Sequence, residues 1–452
     1  MEILFIYPWP QKPSDSYFLS KLKWSLFSSL ASSSDDLVCQ TIATITPKNH
    51  SIKMVDEATD KVDFDSDIDL VAISTLTRSA PRAYDLADEF RKRGKKVVLG
   101  GWHVSALPDE AKQHADSIVI GEGEDTFPQL LKDLENNKLK PCYEQDKIVD
   151  LDKVPILTKE ERKKYKSGPF SQSIQISKGC PIGCNFCSIS YRKFGNIHRK
   201  KSIENVIKEI QTIPQKLIGF ADPSLTIDTK FTKQLFRALK GENKIFSCEG
   251  NANVLGRDDE LLKLAKEAGC TAWYVGFESV SQETIDSIGK STNKVENYKS
   301  VIKKIHDHGM RVEGALIFGF DTDTTKVFDD TIDTIKNWDL DLVDISILTP
   351  YPGTPLFDYL DNDNRILTRD WELYDSIHVV HKPKQMTPEE LADGVQKVWE
   401  ELYSPLKTIK RAAYSIKLGK YPLISSVLRN SLYYRVSKKA LVIPTSKQSE
   451  TN

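Results

Sequence analysis

From Met1 to about Lys140, short apolar runs rich in β-branched residues are separated by amphipathic stretches. The pattern predicts strands at Ile3–Tyr7, Val38–Ile45, Leu70–Ser74, Lys96–Leu99 and Ser117–Ile120. Helices are predicted near Tyr17–Ser29, Pro81–Arg93, Pro108–Gln113 and Thr126–Leu134. Alternation of strand and helix implies an α/β, doubly wound, Rossmann-like parallel sheet, whose ligands bind above the carboxyl ends of the strands. Those ends carry Ser74-Thr75-Leu76-Thr77, Gly100-Gly101-Trp102-His103 and Gly121-Glu122-Gly123-Glu124. Glycine directly after a strand lets a backbone approach a bulky ligand, and it serves a tight turn equally well.

A charged, proline-containing stretch over 141–169 reads as a linker, and a second alternation follows it. Strands are predicted at Ser173–Ser177, Leu217–Phe220, Ile245–Glu249, Ala272–Phe277, Gly314–Phe318 and Leu342–Leu348. Helices fall between them at Ile203–Thr212, Asp228–Leu239, Asp258–Ala268 and Asn297–His308. Six βα units over 170–360 suggest a partial, TIM-like (βα)6 barrel, again with its site at the carboxyl ends of the strands. Residues 361–452 read as a carboxyl-terminal extension ending in a helical tail.

At 452 residues the chain is long enough for two cores, and 39% hydrophobic with 28% charged residues is ordinary for a globular protein. The amino terminus reads as a strand without a signal-peptide pattern, and no run of about eighteen apolar residues suggests a membrane span, so a cytoplasmic location is expected. Charge is uneven: ten basic and no acidic residues lie between Tyr403 and Gln448, leaving 53 basic against 64 acidic residues elsewhere. With Tyr414, Leu418, Tyr421, Leu428, Leu432 and Tyr433 interleaved, this tail suggests either a solvated helical appendage or peripheral contact with an anionic membrane; nucleic-acid contact is disfavoured.

Seven cysteines are too few for a disulfide scaffold, yet three fall in one short loop: Cys180-Pro181-Ile182-Gly183-Cys184-Asn185-Phe186-Cys187. Three thiolates at C-x3-C-x2-C can ligate three irons of a 4Fe-4S cubane and leave the fourth open. A structural zinc site would need a fourth ligand, and no second CxxC or HxxxH pair supplies one. The spacing resembles the signature of the radical S-adenosylmethionine superfamily. The resemblance implies that the open iron binds S-adenosylmethionine and that reductive cleavage gives a 5′-deoxyadenosyl radical. It also implies cofactor contacts from Phe186, Asp222, Asn251, Asn253, Gly276, Glu278, Ser279 and Glu313, whose residue types capping and turns explain as well.

With the cluster motif in place, Gly100-Gly101-Trp102-His103, Leu107-Pro108-Asp109-Glu110 and Gly121-Glu122-Gly123-Glu124-Asp125-Thr126-Phe127 make residues 1–140 resemble the cobalamin-binding domain of cobalamin-dependent radical S-adenosylmethionine enzymes. The likeness implies cobalamin contacts from Ser74, Thr75, Thr77, Gly100, Gly101, His103, Gly121, Gly123 and Glu124. No histidine sits in a D-x-H-x-x-G context, so cobalt is expected without a histidine ligand from the protein, and His103 at the corrin periphery or nucleotide tail. Methylthiotransferases share the barrel but carry extra cluster cysteines in front, where this chain has only Cys39 and Cys142.

The expected activity is methylation of an unactivated carbon in a small-molecule, isoprenoid or lipid-like substrate, with a flavodoxin- or ferredoxin-like reductant. Ring formation, oxygen insertion, carbon–carbon coupling and a cobalamin carrier or sensor are the alternatives. Tyr351, in the proline-rich segment after the last strand, is a candidate to line the site.

Overall fold

The computed structural model describes residues 1–10, 35–164, 171–416, 427 and 429–431. By its internal contacts the chain divides into two units, Met1–Pro181 with Ser188–Ala221, and Ile182–Cys187 with Asp222–Asn452. The expected helix at Tyr17–Ser29 lies outside the described residues.

The first sheet has six strands: β1 Glu2–Tyr7, β2 Ser51–Asp56, β3 Leu70–Ser74, β4 Lys96–Gly100, β5 Ser117–Ile120 and β6 Cys142–Glu144. Their order is β2-β1-β3-β4-β5-β6 and every pairing is parallel. Helices α1 Asp35–Ile45, α2 Ala80–Lys92 and α3 Gly123–Glu135 cover it. Ile3, Phe5, Leu70, Ala72, Val98 and Val119 form one core with Ile45 of α1 and Phe127, Leu130 and Leu131 of α3. Burial on both faces explains why these strands read as continuous apolar runs.

Two expectations change here. Val38–Ile45 is helical: its β-branched composition suggests a strand, but Val38, Ile42 and Ile45 recur at helical spacing and pack together on the core. The strand in that position is Ser51–Asp56, whose Lys53 and Asp56 mask its alternation. In addition, the stretch expected to be only a linker supplies β6, which pairs with β5.

The second sheet contains β7 Ser171–Ile174, β10 Leu217–Phe220, β11 Ile245–Glu249, β12 Cys270–Glu278, β13 Arg311–Phe318 and β14 Leu342–Ile347. Its order, β14-β13-β12-β11-β10-β7, follows the chain, and among the described residues β14 and β7 are its edges, as in an open partial barrel. Helices α4 Ile203–Thr212, α5 Thr229–Leu239, α6 Asp259–Ala268, α7 Tyr298–Asp307 and α8 Lys326–Ile335 lie between strands, and α9 Pro388–Leu402 and α10 Pro405–Ile416 follow. Asp228 and Asp258, expected as first helical residues, are the caps of α5 and α6, accepting from the amides of Phe231 and Leu261.

Along β12 the faces alternate. Trp273 meets Phe236 of α5, and Phe277 meets Tyr298 of α7, with ring centroids 6.2 and 4.6 Å apart. Tyr274, Gly276 and Glu278 therefore point to the opposite face, inside the curve of the sheet. The predicted strand Ser173–Ser177 is broken: β7 ends at Ile174, and β8 Ser177–Lys178 pairs antiparallel with β9 Arg199–Lys200. This short hairpin closes the loop that carries the cysteines.

Candidate functional site

All six cysteines whose side chains are described are free thiols. The loop that holds the triad is shaped by its own backbone. Gly179 has φ +83° and lies against the carbonyl of Ile197, so a side chain there would collide. Cys180 N donates to Gly195 O at 2.8 Å, and Ser190 Oγ donates to Cys180 O at 2.8 Å. In the second unit, Cys187 N donates to Cys184 O at 3.0 Å, and Leu356 N donates to Asn185 O at 3.1 Å. Phe186, expected near the cofactor, packs edge-on to Phe320 and anchors its end of the loop in an apolar cluster.

Among the described residues no group of three or more His, Cys, Asp or Glu side chains is gathered tightly enough for a single metal ion. A cubane asks for another arrangement, because its protein thiolates bind different irons. Three free thiols on one loop are the donor set it needs.

The second unit then assembles charge at the carboxyl ends of its strands. The register between β12 and β13 slips between Gly276 and Glu278, and Glu278 adopts φ +63°. Asn293 Nδ2 donates to Gly276 O at 2.9 Å and Phe277 O at 3.2 Å, and Tyr298 OH donates to Phe277 O at 2.9 Å. These bonds hold a left-handed backbone that a glutamate adopts only under constraint. The Glu278 carboxylate consequently turns back to the ammonium of Lys290. A Cβ at residue 276 would meet both partners of that ion pair, the ends of two flexible side chains.

Lys290 is almost enclosed. Burial opposes its charge, but Glu278 and the thiolates of Cys184 and Cys187 outweigh burial and raise its pKa. Glu249 at the end of β11 is reached by solvent although protein surrounds it. Its pKa is pushed up to about 8 by burial first, with the charges of Asp222 and Glu278 adding and Lys290 opposing. Asp222 is buried. Asp222, Lys290 and Glu278 all lie within electrostatic reach of Glu249, three acidic groups to one lysine, an acidic surplus that solvent reaches at Glu249. That surplus fits a ligand carrying an ammonium and a sulfonium.

The other expected contacts are distributed unevenly. Asn251 N donates to Thr226 Oγ1 at 2.8 Å, and the Asn251 side chain makes no capping bond. Asn253 is exposed. Ser279 Oγ accepts from Ser281 N at 3.1 Å. Glu313 lies elsewhere: it is the third residue of β13, level with Tyr274, about 13 Å before the strand end that carries Glu278. Burial opposes its charge, but Arg429 and Arg311 hold its pKa below the usual carboxylate range. The nucleoside contact expected of it gives way to a salt bridge with the tail. Tyr351 OH meets Ser376 Oγ at 3.0 Å.

In the first sheet the order reverses at β1 and β3, so the ligand crevice is expected above their ends. Trp9, which sequence reasoning passed over, stands there, with the Arg78 guanidinium 5.7 Å from its ring centre and its amide donating to Glu57. Thr75 and Thr77 are buried, Ser74 is half-buried, and Leu76 between them is exposed. Thr75 Oγ1 donates to Leu76 O at 2.8 Å and meets Ser79 Oγ at 3.1 Å, which shapes the turn. Gly101 has φ +103°, and a Cβ would lie 2.5 Å from Thr75 O, so this glycine serves packing of β4 on β3. Gly100 is less confined, its nearest neighbour being the Val119 side chain. His103 is fully buried with Nε2 3.0 Å from Glu110 Oε1, a position that supports the loop from below and presents no ring to the surface.

Gly121 packs on Gln145 and Gly123 opens α3. Glu122 and Glu124 are bound to Arg199 and Lys178. Lys290, Glu249 and the Glu122–Arg199 pair are the additions the structure makes to the candidate residues. Twelve residues separate Glu278 from Lys290, and no spacing rule connects them.

Comparison with known proteins gives two family models: Radical SAM superfamily over residues 174–351 and B12 binding domain over 46–131. The bacteriochlorophyllide d C-8(2)-methyltransferase of Chlorobaculum tepidum is 33% identical over 393 residues, covering 83% of this chain and 86% of that protein. The bacteriochlorophyllide d C-12(1)-methyltransferase of the same organism is 31% identical, covering 82% and 83%. Among solved structures, the radical S-adenosylmethionine methyltransferase TsrM from Kitasatospora setae, with cobalamin and a [4Fe-4S] cluster bound, has the same fold. The TM-score is 0.67 at 11% identity, over 97% of this chain and 99% of that one.

Proposed function

The chain belongs to the radical S-adenosylmethionine enzymes that carry a B12 binding domain, and from that membership we propose that it methylates an unactivated carbon of a large, mainly apolar small molecule. The cofactors of this family are a 4Fe-4S cluster, S-adenosylmethionine and cobalamin. The observation that carries the reading is the loop of three free thiols, Cys180, Cys184 and Cys187, with the Glu278–Lys290 pair in the unit that also holds Cys184 and Cys187.

In this reading Cys180, Cys184 and Cys187 hold the cluster. Asp222, Glu249, Asn251, Gly276, Glu278 and Ser279 receive S-adenosylmethionine, and Ser74, Thr75, Thr77, Gly100 and Gly101 border cobalamin. When bound, the cluster supplies an electron for sulfonium cleavage and cobalamin carries the methyl group. The residues supply placement. Lys290 holds the Glu278 carboxylate in place, Asp222 and Glu249 accept hydrogen bonds from an ammonium, and the Tyr274 OH to Asp344 Oδ2 bond of 3.1 Å braces the inner face.

The methyl-transfer assignment is supported by the two bacteriochlorophyllide methyltransferases, which make a macrocyclic substrate the first class to test. A low-potential flavodoxin- or ferredoxin-like protein is the proposed reductant. No helix among the described residues is long and apolar enough to cross a membrane.

The test is anaerobic reconstitution with iron, sulfide and cobalamin, followed by dithionite and S-adenosylmethionine. The expected products are 5′-deoxyadenosine and S-adenosylhomocysteine together, the second marking methyl transfer to cobalamin. Absence of 5′-deoxyadenosine above a Cys184→Ala control overturns the radical reading. Its formation without S-adenosylhomocysteine moves the assignment to another radical outcome.

A further inference from the structure

Between Ser177 and Lys201 the chain has six cations, Lys178, Arg192, Lys193, Arg199, Lys200 and Lys201, and no acidic residue. The three cysteines lie inside this stretch. Its closing hairpin is only two residue pairs long, and it sets Lys178 directly opposite Arg199. Two-stranded ribbons are marginal alone, and like charges facing each other across an antiparallel pair repel. The hairpin needs an anion from elsewhere in the fold.

The first sheet supplies it. Glu122, directly after β5, accepts from both terminal nitrogens of Arg199 at 2.7 Å and lies 3.7 Å from Lys178 Nζ. Glu124 takes the Lys178 ammonium directly. Burial opposes the Glu122 charge, but Arg199 and Lys178 hold its pKa below the usual range. Gln145 orients it, accepting from Glu122 N at 3.0 Å and donating to Oε2 at 3.3 Å. Gly121 is bare where Gln145 packs. Farther along, Arg192 sits 5.1 Å from the centre of the Trp102 ring, and Lys193 pairs with Glu144 of β6. Every one of these residues lies within the first unit.

We propose that Glu122, assisted by Glu124 and Trp102, is a clamp that positions the hairpin and with it the Cys180 end of the cysteine-bearing loop. The third glycine–acid motif of the front sheet then serves the cluster loop, and the acidic residues in it are positioning residues and not cobalamin contacts. A bidentate arginine–carboxylate pair fixes direction as well as distance, which suits a loop whose thiolates must meet one rigid cubane.

The proposal rests on the cluster assignment for one readout and is independent of it for the other. In the full-length chain, Glu122→Arg, Arg199→Glu and the double exchange are compared by hydrogen exchange over 188–200 and by the rate of cluster loss to a chelator after anaerobic reconstitution. Glu122→Gln serves as the milder variant where a reversal does not fold. Each single variant is expected to exchange roughly tenfold faster over 188–200, with β12–β14 unchanged, and to lose its cluster about fivefold faster. The double exchange is expected to return both to within about twofold of the natural chain. Unchanged exchange in the single variants overturns the clamp, as does a double variant no better than either single one. If the natural chain takes up no cluster, that result counts against the cluster assignment, and exchange still decides the clamp.

Discussion

The carboxylate of Glu278 meets the ammonium of Lys290 over the bare Cα of Gly276. Gly276→Ala is therefore expected to displace the pair without disturbing the core, since the atoms in its way are the ends of two flexible side chains. Affinity for S-adenosylmethionine should fall about tenfold, the equivalent of about 1.4 kcal/mol. The thermal midpoint should move little. Lys290→Met should behave differently: a nearly enclosed Glu278 left alone costs about 3–5 kcal/mol, read as a lower urea midpoint.

Glu249 gives the pocket a pH signature. Its folded pKa, about 8, stands above the ordinary 4.5, so folding favours its protonated form. The associated stability is present in full below about pH 4.5 and is lost as pH rises through about 8. Glu249→Gln should remove that slope, making the cofactor-free variant more stable than the natural chain at pH 8 and similar at pH 5. A cationic ligand favours the ionised form, so binding should release protons between these limits, measurable by calorimetry in buffers of different ionisation enthalpy. Equal heats in all buffers would sink this account.

Gly101 tests the front sheet separately from any ligand. Its φ of +103° with ψ of −173° is a glycine conformation, and Thr75 O closes the space a side chain would fill. Gly101→Ala should cost roughly 1–3 kcal/mol in denaturant unfolding with or without cobalamin. A loss confined to the cobalamin-loaded protein would show that the glycine serves the ligand.

Among the described residues of the basic tail, several cations are paired within the fold. Arg429 binds buried Glu313, Arg411 stacks 4.6 Å from the ring centre of Tyr403, and Lys407 pairs with Glu401. On α10, Leu406 and Ile409 are 82% and 66% exposed one turn apart, the side chains that membrane contact through this helix would bury. Leu406→Ser with Ile409→Ser should reduce flotation with anionic liposomes severalfold while leaving the fold intact. Equal recovery would remove the membrane reading. Deleting everything after Tyr403 is a poorer test, because it removes one of the two arginines that neutralise Glu313. Arg429→Ala alone should cost less than the roughly 3–5 kcal/mol of a fully unpaired buried charge near neutral pH, because Arg311 remains beside Glu313. Because the Glu313 pKa is lowered, this difference should shrink as pH falls through the carboxylate range.

What the chain reveals by itself is the chemistry that depends on neighbours in sequence. Three cysteines within eight residues, strand and helix periods, and glycines at strand ends are local, and local spacing is legible without coordinates. Even there, composition misleads when it competes with period: Val38–Ile45 looks like a strand and folds as a helix because its apolar residues recur for one helical face. Charges brought together by the fold are not legible. Glu278 finds Lys290, Glu249 finds Asp222, Glu313 finds Arg429 across 116 residues, and Glu122 finds Arg199 across 77. The sequence by itself determined that three thiolates share one loop at a spacing that can serve a cubane, because that spacing is a property of chain neighbours. Only the tertiary structure decided which acidic residues are paired with arginine and lysine. An ion pair is a matter of distance in space, and distance along the chain carries no record of it.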